Sequence, residues 1–231
     1  MKVVVLYGQM HEGSSYHITH LLLQTLEVTQ LSEFFLPRDA SHFCKGCYTC
    51  FFKGEQLCLH AMSIQPIVKQ LEEADLIILA SPCYVYGMTG QLKAFLDHMA
   101  YRWMSHRPHP AMFSKVGVVI SSAAGAGART VTKDLKRHLI FWGLTKVYAY
   151  PQLVQSMNWE GVSDKQKKSI QQDIEKLGKR ISRQLQKKNQ ISLNTKLLFS
   201  LMRFSQRFND WNETDRKHWE SQGWLSKERL W

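Results

Sequence analysis

Four of the chain's five cysteines fall in one short stretch, Cys44, Cys47, Cys50 and Cys58, spaced C-x2-C-x2-C-x7-C. Thiolates this close along the chain let one loop wrap an inorganic centre, and four suffice for a [4Fe–4S] cluster. An all-thiolate tetrahedral zinc site would need the same four side chains. A third possibility is a metal-free loop, with Gly46 and Gly54 shaping its turns and the cysteines buried as small apolar groups. Leu59 stands where cluster-binding runs usually carry a proline after the last cysteine. The spacing ranks the cluster above zinc and leaves the metal-free loop open. Cys83 stands apart, and no neighbouring base or cation marks it as a reactive thiolate, so a small packed residue is its expected role.

Three further stretches are rich in Gly, Ser and Ala: Gly8–Ser15, Ser81–Gly87 and Ser121–Gly127. Small residues let backbone N–H groups approach a ligand closely. The first opens a helix, whose free N–H groups and dipole suit a phosphate. Gly13, Ser14 and Ser15 stand where a phosphate would be cradled, and His11 adds a polar or positive contact. Ser-Ser before a helix is also an ordinary N-cap, so this loop alone is unspecific. The second reads Ser81-Pro82-Cys83-Tyr84-Val85-Tyr86-Gly87, with two aromatics and a rigid proline beside small residues. Such a loop can wall a planar ring, although two surface tyrosines on a turn would look the same. The third offers Ala124 and Gly125 backbone groups to a ring edge, or is a plain flexible connection.

The elements that must position these loops follow from apolar patterning. Val3 to Leu6 is an all-apolar run, the signature of a strand covered on both faces. Leu31 to Leu36, Ala74 to Ala80, Val116 to Ile120 and Lys146 to Tyr150 read as four more short strands. Between them, helical spacing appears after Ser15, over Ile64–Glu73, from Gln91 to about Trp103 and over Val131–Trp142; Ile170 to Leu185 marks a long amphipathic helix after the fifth strand. Strands alternating with helices specify a parallel α/β sheet with right-handed crossovers. The order 2-1-3-4-5 is the economical one for five strands, and it brings the loops after strands 1, 3 and 4 to one edge.

On these residues the chain resembles the NAD(P)H-dependent FMN reductases. The resemblance rests on Ala74-Asp75-Leu76-Ile77-Ile78-Leu79-Ala80-Ser81-Pro82-Cys83-Tyr84, continued by Gly90-Gln91-Leu92-Lys93-Ala94-Phe95-Leu96-Asp97. Cysteine-bearing members of that group, among them the iron–sulfur flavoproteins, carry a loop like Cys44-Lys45-Gly46-Cys47-Tyr48-Thr49-Cys50. Covering roughly residues 1 to 155, the resemblance implies a flavodoxin-like fold, bound FMN and hydride acceptance from NAD(P)H. It also implies a homodimer or homotetramer with FMN near the subunit interface. By position it implies that His11, Ser14 and Ser15 bind the FMN phosphate. Pro82, Tyr84, Val85, Tyr86 and Gly87 would then contact the isoalloxazine, with Ala124 and Gly125 near its pyrimidine edge. The first loop departs from the family's usual Gly-Ser-Pro-Arg: it reads Gly8-Gln9-Met10-His11, with Ser14 where asparagine is usual.

The expected activity is transfer of reducing equivalents from NAD(P)H through FMN to a quinone-like small acceptor or a redox partner protein. The flavin carries that chemistry, so no side chain is nominated as catalytic. The alternative is a flavin-binding electron carrier or redox sensor, with or without a [4Fe–4S] cluster. No run of about 18 apolar residues exists, so no membrane span is expected. The first apolar stretch is too short for a signal peptide, which points to the cytoplasm and to reduced thiols. Net charge is +11, and residues 161–231 hold 16 Lys and Arg against 8 Asp and Glu. That surplus fits a solvated helix face better than a nucleic-acid site, because the same segment carries apolar residues at helical spacing. Those residues, Leu197, Leu201, Phe204 and Phe208, followed by Trp211, Trp219, Trp224 and Trp231, make 189–231 a helical extension that packs on a domain of residues 1–188 or on a second subunit. Between the two regions of interest, Asp97–Pro110 crowds His98, His106 and His109 with Arg102 and Arg107. It suits either the phosphates of NAD(P)H or a subunit contact, and equally an exposed connection.

Overall fold

The computed structural model describes residues 1–187 and 191–226. Five strands, β1 (Lys2–Tyr7), β2 (Gln30–Phe35), β3 (Leu76–Pro82), β4 (Val116–Ala123) and β5 (Lys146–Leu153), form one parallel sheet in the order β2-β1-β3-β4-β5. Helices α1 (Ser14–Gln24), α2 (Leu36–Asp39), α3 (Thr49–Phe52), α4 (Ala61–Glu73), α5 (Gly90–His98), α6 (Ala128–Phe141) and α7 (Asp164–Gln186) connect and cover it. This is the expected flavodoxin-like architecture.

The runs Val3–Leu6, Leu76–Ala80 and Val116–Ile120 are unbroken in apolar residues because both faces are covered there. Along β1, Val3, Val5 and Tyr7 point to the layer of α1 and α7, where Ile18, Leu22 and Ile174 meet them. Val4 and Leu6 point the other way, to Ile67, Leu71, Phe95 and Leu135 of α4, α5 and α6. The alternation repeats on β3 and β4. A register slip by one residue would exchange the two sets and mismatch both layers.

Several expected boundaries move. β3 is shifted to Leu76–Pro82, and β4 runs past Ile120 to Ala123, taking the first residues of the expected second and third loops into the sheet. β5 runs past Tyr150 to Leu153 with Pro151 inside it, paired to Ser121. Proline is tolerated there because β5 is an edge strand, so the missing N–H breaks no second ladder. Helix α5 stops at His98, and a 3₁₀ turn, Ala100–Arg102, carries the chain onward.

Beyond the sheet, α8 (Leu193–Gln206) and α9 (Glu213–Ser221) pack on the segment between α5 and β4. Trp219, Trp224 and Phe199 enclose Met104 and Phe113. The Trp219 indole donates to the His106 carbonyl at 2.5 Å, and Gln206 Nε2 donates to Ser105 at 2.6 Å. Leu197, Leu201, Phe204, Phe208 and Trp211, expected to pack on the domain or on a second subunit, are all more than half exposed on this chain. Helical spacing identifies a face, yet α8 is apolar on two faces, and Leu198, Phe199 and Met202 take the inner one. The expected boundary at Lys188 and Asn189 lies outside the described residues, as does Trp231.

Candidate functional site

At the carboxyl ends of β1, β3 and β4 lies a cavity of about 250 Å³. A larger cleft, about 450 Å³, opens at the opposite sheet end near Asp75, Lys115 and Thr145. Doubly wound sheets bind ligands beyond the carboxyl ends of their strands, so the smaller cavity is the candidate. Of the expected residues, His11, Ser14, Ser15, Pro82, Tyr84 and Ala124 line it. Val85, Tyr86, Gly87 and Gly125 do not; the first two stand at its rim, exposed to solvent.

The first loop leaves β1 at Gly8, whose backbone passes so close to α5 that a Cβ would lie 2.2 Å from Thr89 Oγ1. Thr89 is held in turn, donating its N–H to Ser81 Oγ and capping Leu92 N–H. Gly13 begins α1 with no side-chain cap, so the opening N–H groups face the cavity uncompensated. Ser14 borders them. Ser15 has another duty: its hydroxyl shares a 2.7 Å hydrogen bond with Ser122 Oγ and accepts from Ser122 N–H at 3.2 Å, latching α1 to β4. No carboxylate is among the described residues lining the cavity, which suits an anionic group at the helix start.

Gln9 was missed by the sequence reading. It is only 4% exposed, lines the cavity, and neither its amide nitrogen nor its oxygen has a hydrogen-bond partner. Burying an unpaired amide costs roughly 1–3 kcal/mol, so a ligand that pairs it recovers that cost. A signal existed: Gln9 replaces the small polar residue that usually follows the first glycine. Ser156 and Met157, beyond β5, also line the cavity, and ending β5 at Tyr150 hid them.

The second loop forms a two-residue turn. Tyr84 and Gly87 exchange both backbone hydrogen bonds at 2.9 Å, around Val85 and Tyr86 at φ +49° and +61°. A β-branched residue in this left-handed region is strained. The third loop supports the turn from beneath. Gly127 has φ +95°, and a Cβ there would lie 2.4 Å from Cys83 Sγ and 3.4 Å from Tyr86 Cα. Cys83 thus packs between loops, and burial pushes its thiol up, away from the reactive form.

The cysteines meet elsewhere, in a separate pocket of about 100 Å³ at the far end of α5. Cys44, Cys47, Cys50 and Cys58 all line it, joined by His60 and His98. Burial, reinforced by the Cys58 and Cys44 sulfurs, pushes the Cys50 thiol up to about 11. Hydrogen bonding with Thr49 pulls Cys47 down. The Asp97–Pro110 segment resolves as structural. Arg107 is buried, donating to Asp215 of α9, to Glu55 and to the Cys50 carbonyl. Arg102 binds Glu72 at 2.5 Å, and His106 Nδ1 binds Asp215 at 2.7 Å. Neither arginine is available to a nucleotide phosphate.

The parallel order, the cavity at the strand ends and the phosphate-ready start of α1 define a flavodoxin-like nucleotide-binding protein. Residues 1–156 match the family of NADPH-dependent FMN reductases. The chain belongs to that family and thus to the FMN-dependent NAD(P)H oxidoreductases. It is 30% identical over 151 residues to an iron–sulfur flavoprotein of Archaeoglobus fulgidus, covering 64% of this chain and 66% of that one. Identity is also 30% over 151 residues to an FMN-dependent NADH:quinone oxidoreductase of Burkholderia pseudomallei, covering 60% and 70%. An NAD(P)H:quinone oxidoreductase from Methanothermobacter marburgensis superposes with a TM-score of 0.61 at 16% identity, over 79% of this chain and 97% of that chain, a likeness of fold.

Proposed function

We propose that this chain holds FMN in the cavity at the carboxyl ends of β1, β3 and β4 and passes electrons from NAD(P)H to a quinone-like acceptor. The observation that carries this reading is the Gln9 carboxamide, buried and unpaired against a cavity whose other walls suit a phosphate and a flat ring. Ser14 and the first N–H groups of α1, with His11 at the rim, hold the phosphate. Pro82 and Tyr84 wall the ring, Val85, Tyr86 and Gly87 shape its rim, and Ala124 with Gly125 border its edge. When bound there, FMN supplies a two-electron carrier. The chain's own residues orient rather than react: Cys83 is kept as a neutral thiol, and no lining carboxylate competes for protons. The quinone-like acceptor is supported by the name of a relative that aligns with 60% of the chain at 30% identity.

The exposed face of Leu197, Leu201 and Phe204 on α8, with Phe208 just beyond its end, supports a homodimer or homotetramer, since patches of this kind mark interaction surfaces. Residues 1–188 form the FMN-binding unit and 189–231 the extension that carries this face. The cytoplasm, where thiols stay reduced, is the compartment that suits the cysteine loop.

Four thiols on one pocket favour a second reading, in which Cys44, Cys47, Cys50 and Cys58 also hold a [4Fe–4S] cluster and the chain is an electron carrier or redox sensor. The donor set fits such a centre. The pocket lies one helix away from the flavin loop, because α5 spans nine residues, roughly 13 Å.

An absorption spectrum of protein purified without oxygen, with iron and acid-labile sulfide assayed and NAD(P)H oxidation followed with a quinone, tests both readings. Flavin bands with quinone-dependent turnover are expected, and Gln9→Ala should weaken FMN binding by roughly ten-fold, about one hydrogen bond. Protein that stays colourless after incubation with FMN would refute the flavin reading. Flavin and iron without turnover would favour the carrier.

A further inference from the structure

The cysteine pocket holds two histidines that the four-cysteine pattern does not call for. Among the described residues, the donors close enough to share one ion are Cys58, His60 and His98, whose ligand atoms lie within 4.8 Å of one another. His98 is 5% exposed, and its two ring nitrogens have distinct partners. Nε2 lies 3.1 Å from the His42 carbonyl oxygen, so Nε2 carries the proton and donates it there. In the neutral ring the other nitrogen, Nδ1, then presents its lone pair, and it points at Cys58 Sγ from 4.0 Å. A ring fixed by a carbonyl on one side, with its lone pair facing a thiol on the other, is the arrangement in which metal-binding histidines are usually held. His60 closes the third side, its ring edge-on to His98 with centroids 5.1 Å apart. Tetrahedral coordination by nitrogen and sulfur would set the donors about 3.5 Å apart, a small side-chain movement from what is seen.

We propose that Cys58, His60 and His98 bind a single divalent cation of zinc-like chemistry, with the fourth coordination position opening into the pocket beside Cys50. One thiolate with two imidazoles suits a borderline-soft, tetrahedral ion. Binding releases the Cys58 thiol proton to solvent and involves no electron transfer. Because Cys58 is also one of the four cluster thiols, the mononuclear ion and a [4Fe–4S] cluster are alternative occupants of one pocket. The site does not rest on the flavin reading.

The test is cobalt titration of the full chain after anaerobic chelation, with zinc K-edge absorption on the zinc-loaded form. One equivalent of Co²⁺ should give tetrahedral d–d bands with a thiolate charge-transfer band, and the zinc edge should show a mixed nitrogen and sulfur shell. Cys44→Ser with Cys47→Ser should leave affinity within about three-fold, since neither is a ligand. His60→Asn should lower it by about 100-fold or more, the range that loss of metal-site partners reaches. His98→Asn should do the same, and His60, being partly exposed, keeps the test decisive if the buried His98 variant misfolds. Retention of the parent chain's circular-dichroism spectrum controls for folding. An all-sulfur shell, or loss of cobalt in the double serine variant with retention in His60→Asn, would overturn the proposal. Failure of cobalt to bind tetrahedrally would overturn it as well.

Discussion

Replacing Asp215 by alanine removes the carboxylate that ties the extension to the cysteine loop. Asp215 is fully buried, accepts from Arg107 and binds His106 Nδ1 at 2.7 Å, while its own N–H is capped by Asn212. The truncation leaves the buried Arg107 guanidinium with Glu55 at 3.3 Å and the carbonyls of Cys50 and Phe51. Breaking a buried pair costs roughly 3–5 kcal/mol, and the surviving Glu55 contact places this case near 3. That is a large share of the roughly 5–15 kcal/mol that holds a domain together. In urea the unfolding midpoint should fall, and limited proteolysis should cleave ahead of α9 sooner than in the parent chain. Arg107→Met combined with Asp215→Leu should recover part of the loss, because the guanidinium is no longer stranded and Glu55 keeps Arg102 at 3.6 Å. A double-mutant cycle built from Arg107→Met, Asp215→Leu and their combination isolates the coupling. A stability change below about 0.5 kcal/mol for Asp215→Ala, the size of an ordinary surface substitution, would refute the reasoning.

Two further outcomes follow from strain and burial. Val85 holds φ +49° while fully exposed, so Val85→Asn loses no packing and relieves part of a left-handed penalty of roughly 1–2 kcal/mol. Its melting temperature should rise by about 2–4 °C for each kcal/mol gained, with weaker FMN retention if the valine touches the ring; a lower melting temperature counts against a strained turn. Burial, with Lys93 and Arg137 adding to it, pushes the His138 imidazole down to about 4. An unfolded histidine titrates near 6.5, so between roughly 4 and 6.5 the unfolded chain binds the extra proton and stability falls as pH falls. The loss approaches roughly 3 kcal/mol at most. His138→Gln should flatten that arm when urea midpoints are compared at neutral pH and pH 5; parallel curves for the two proteins would contradict it.

Much of the fold was legible because its signals are local. Unbroken apolar runs at Val3–Leu6 and Leu76–Ala80 announce strands covered on both faces, and small residues after them announce a ligand edge. The loops around Ser14, Pro82 and Ala124 were placed correctly for the same reason: strand order alone brings them together. The fifth strand was expected to end at Tyr150, yet as an edge strand β5 carries Pro151 within it and runs on to Leu153.

What depends on distance in space stayed hidden. Gln9 looks like any loop polar residue until its amide is found buried without a partner. Arg102 and Arg107 suited phosphates, a subunit contact or an exposed connection equally, and only the fold shows Glu72, Glu55 and Asp215 arriving from as many as 108 residues away to claim them. On α8, spacing marked the face of Leu197 and Leu201, and only the docking of Phe199 on Met104 and Phe113 leaves that face bare on this chain. His98 sits 40 residues from Cys58, and the fold aims its nitrogen at that sulfur. Periodicity in a sequence records which residues share a face. Which faces meet, and which charges are thereby stripped of water and made to pair, is decided by the tertiary fold.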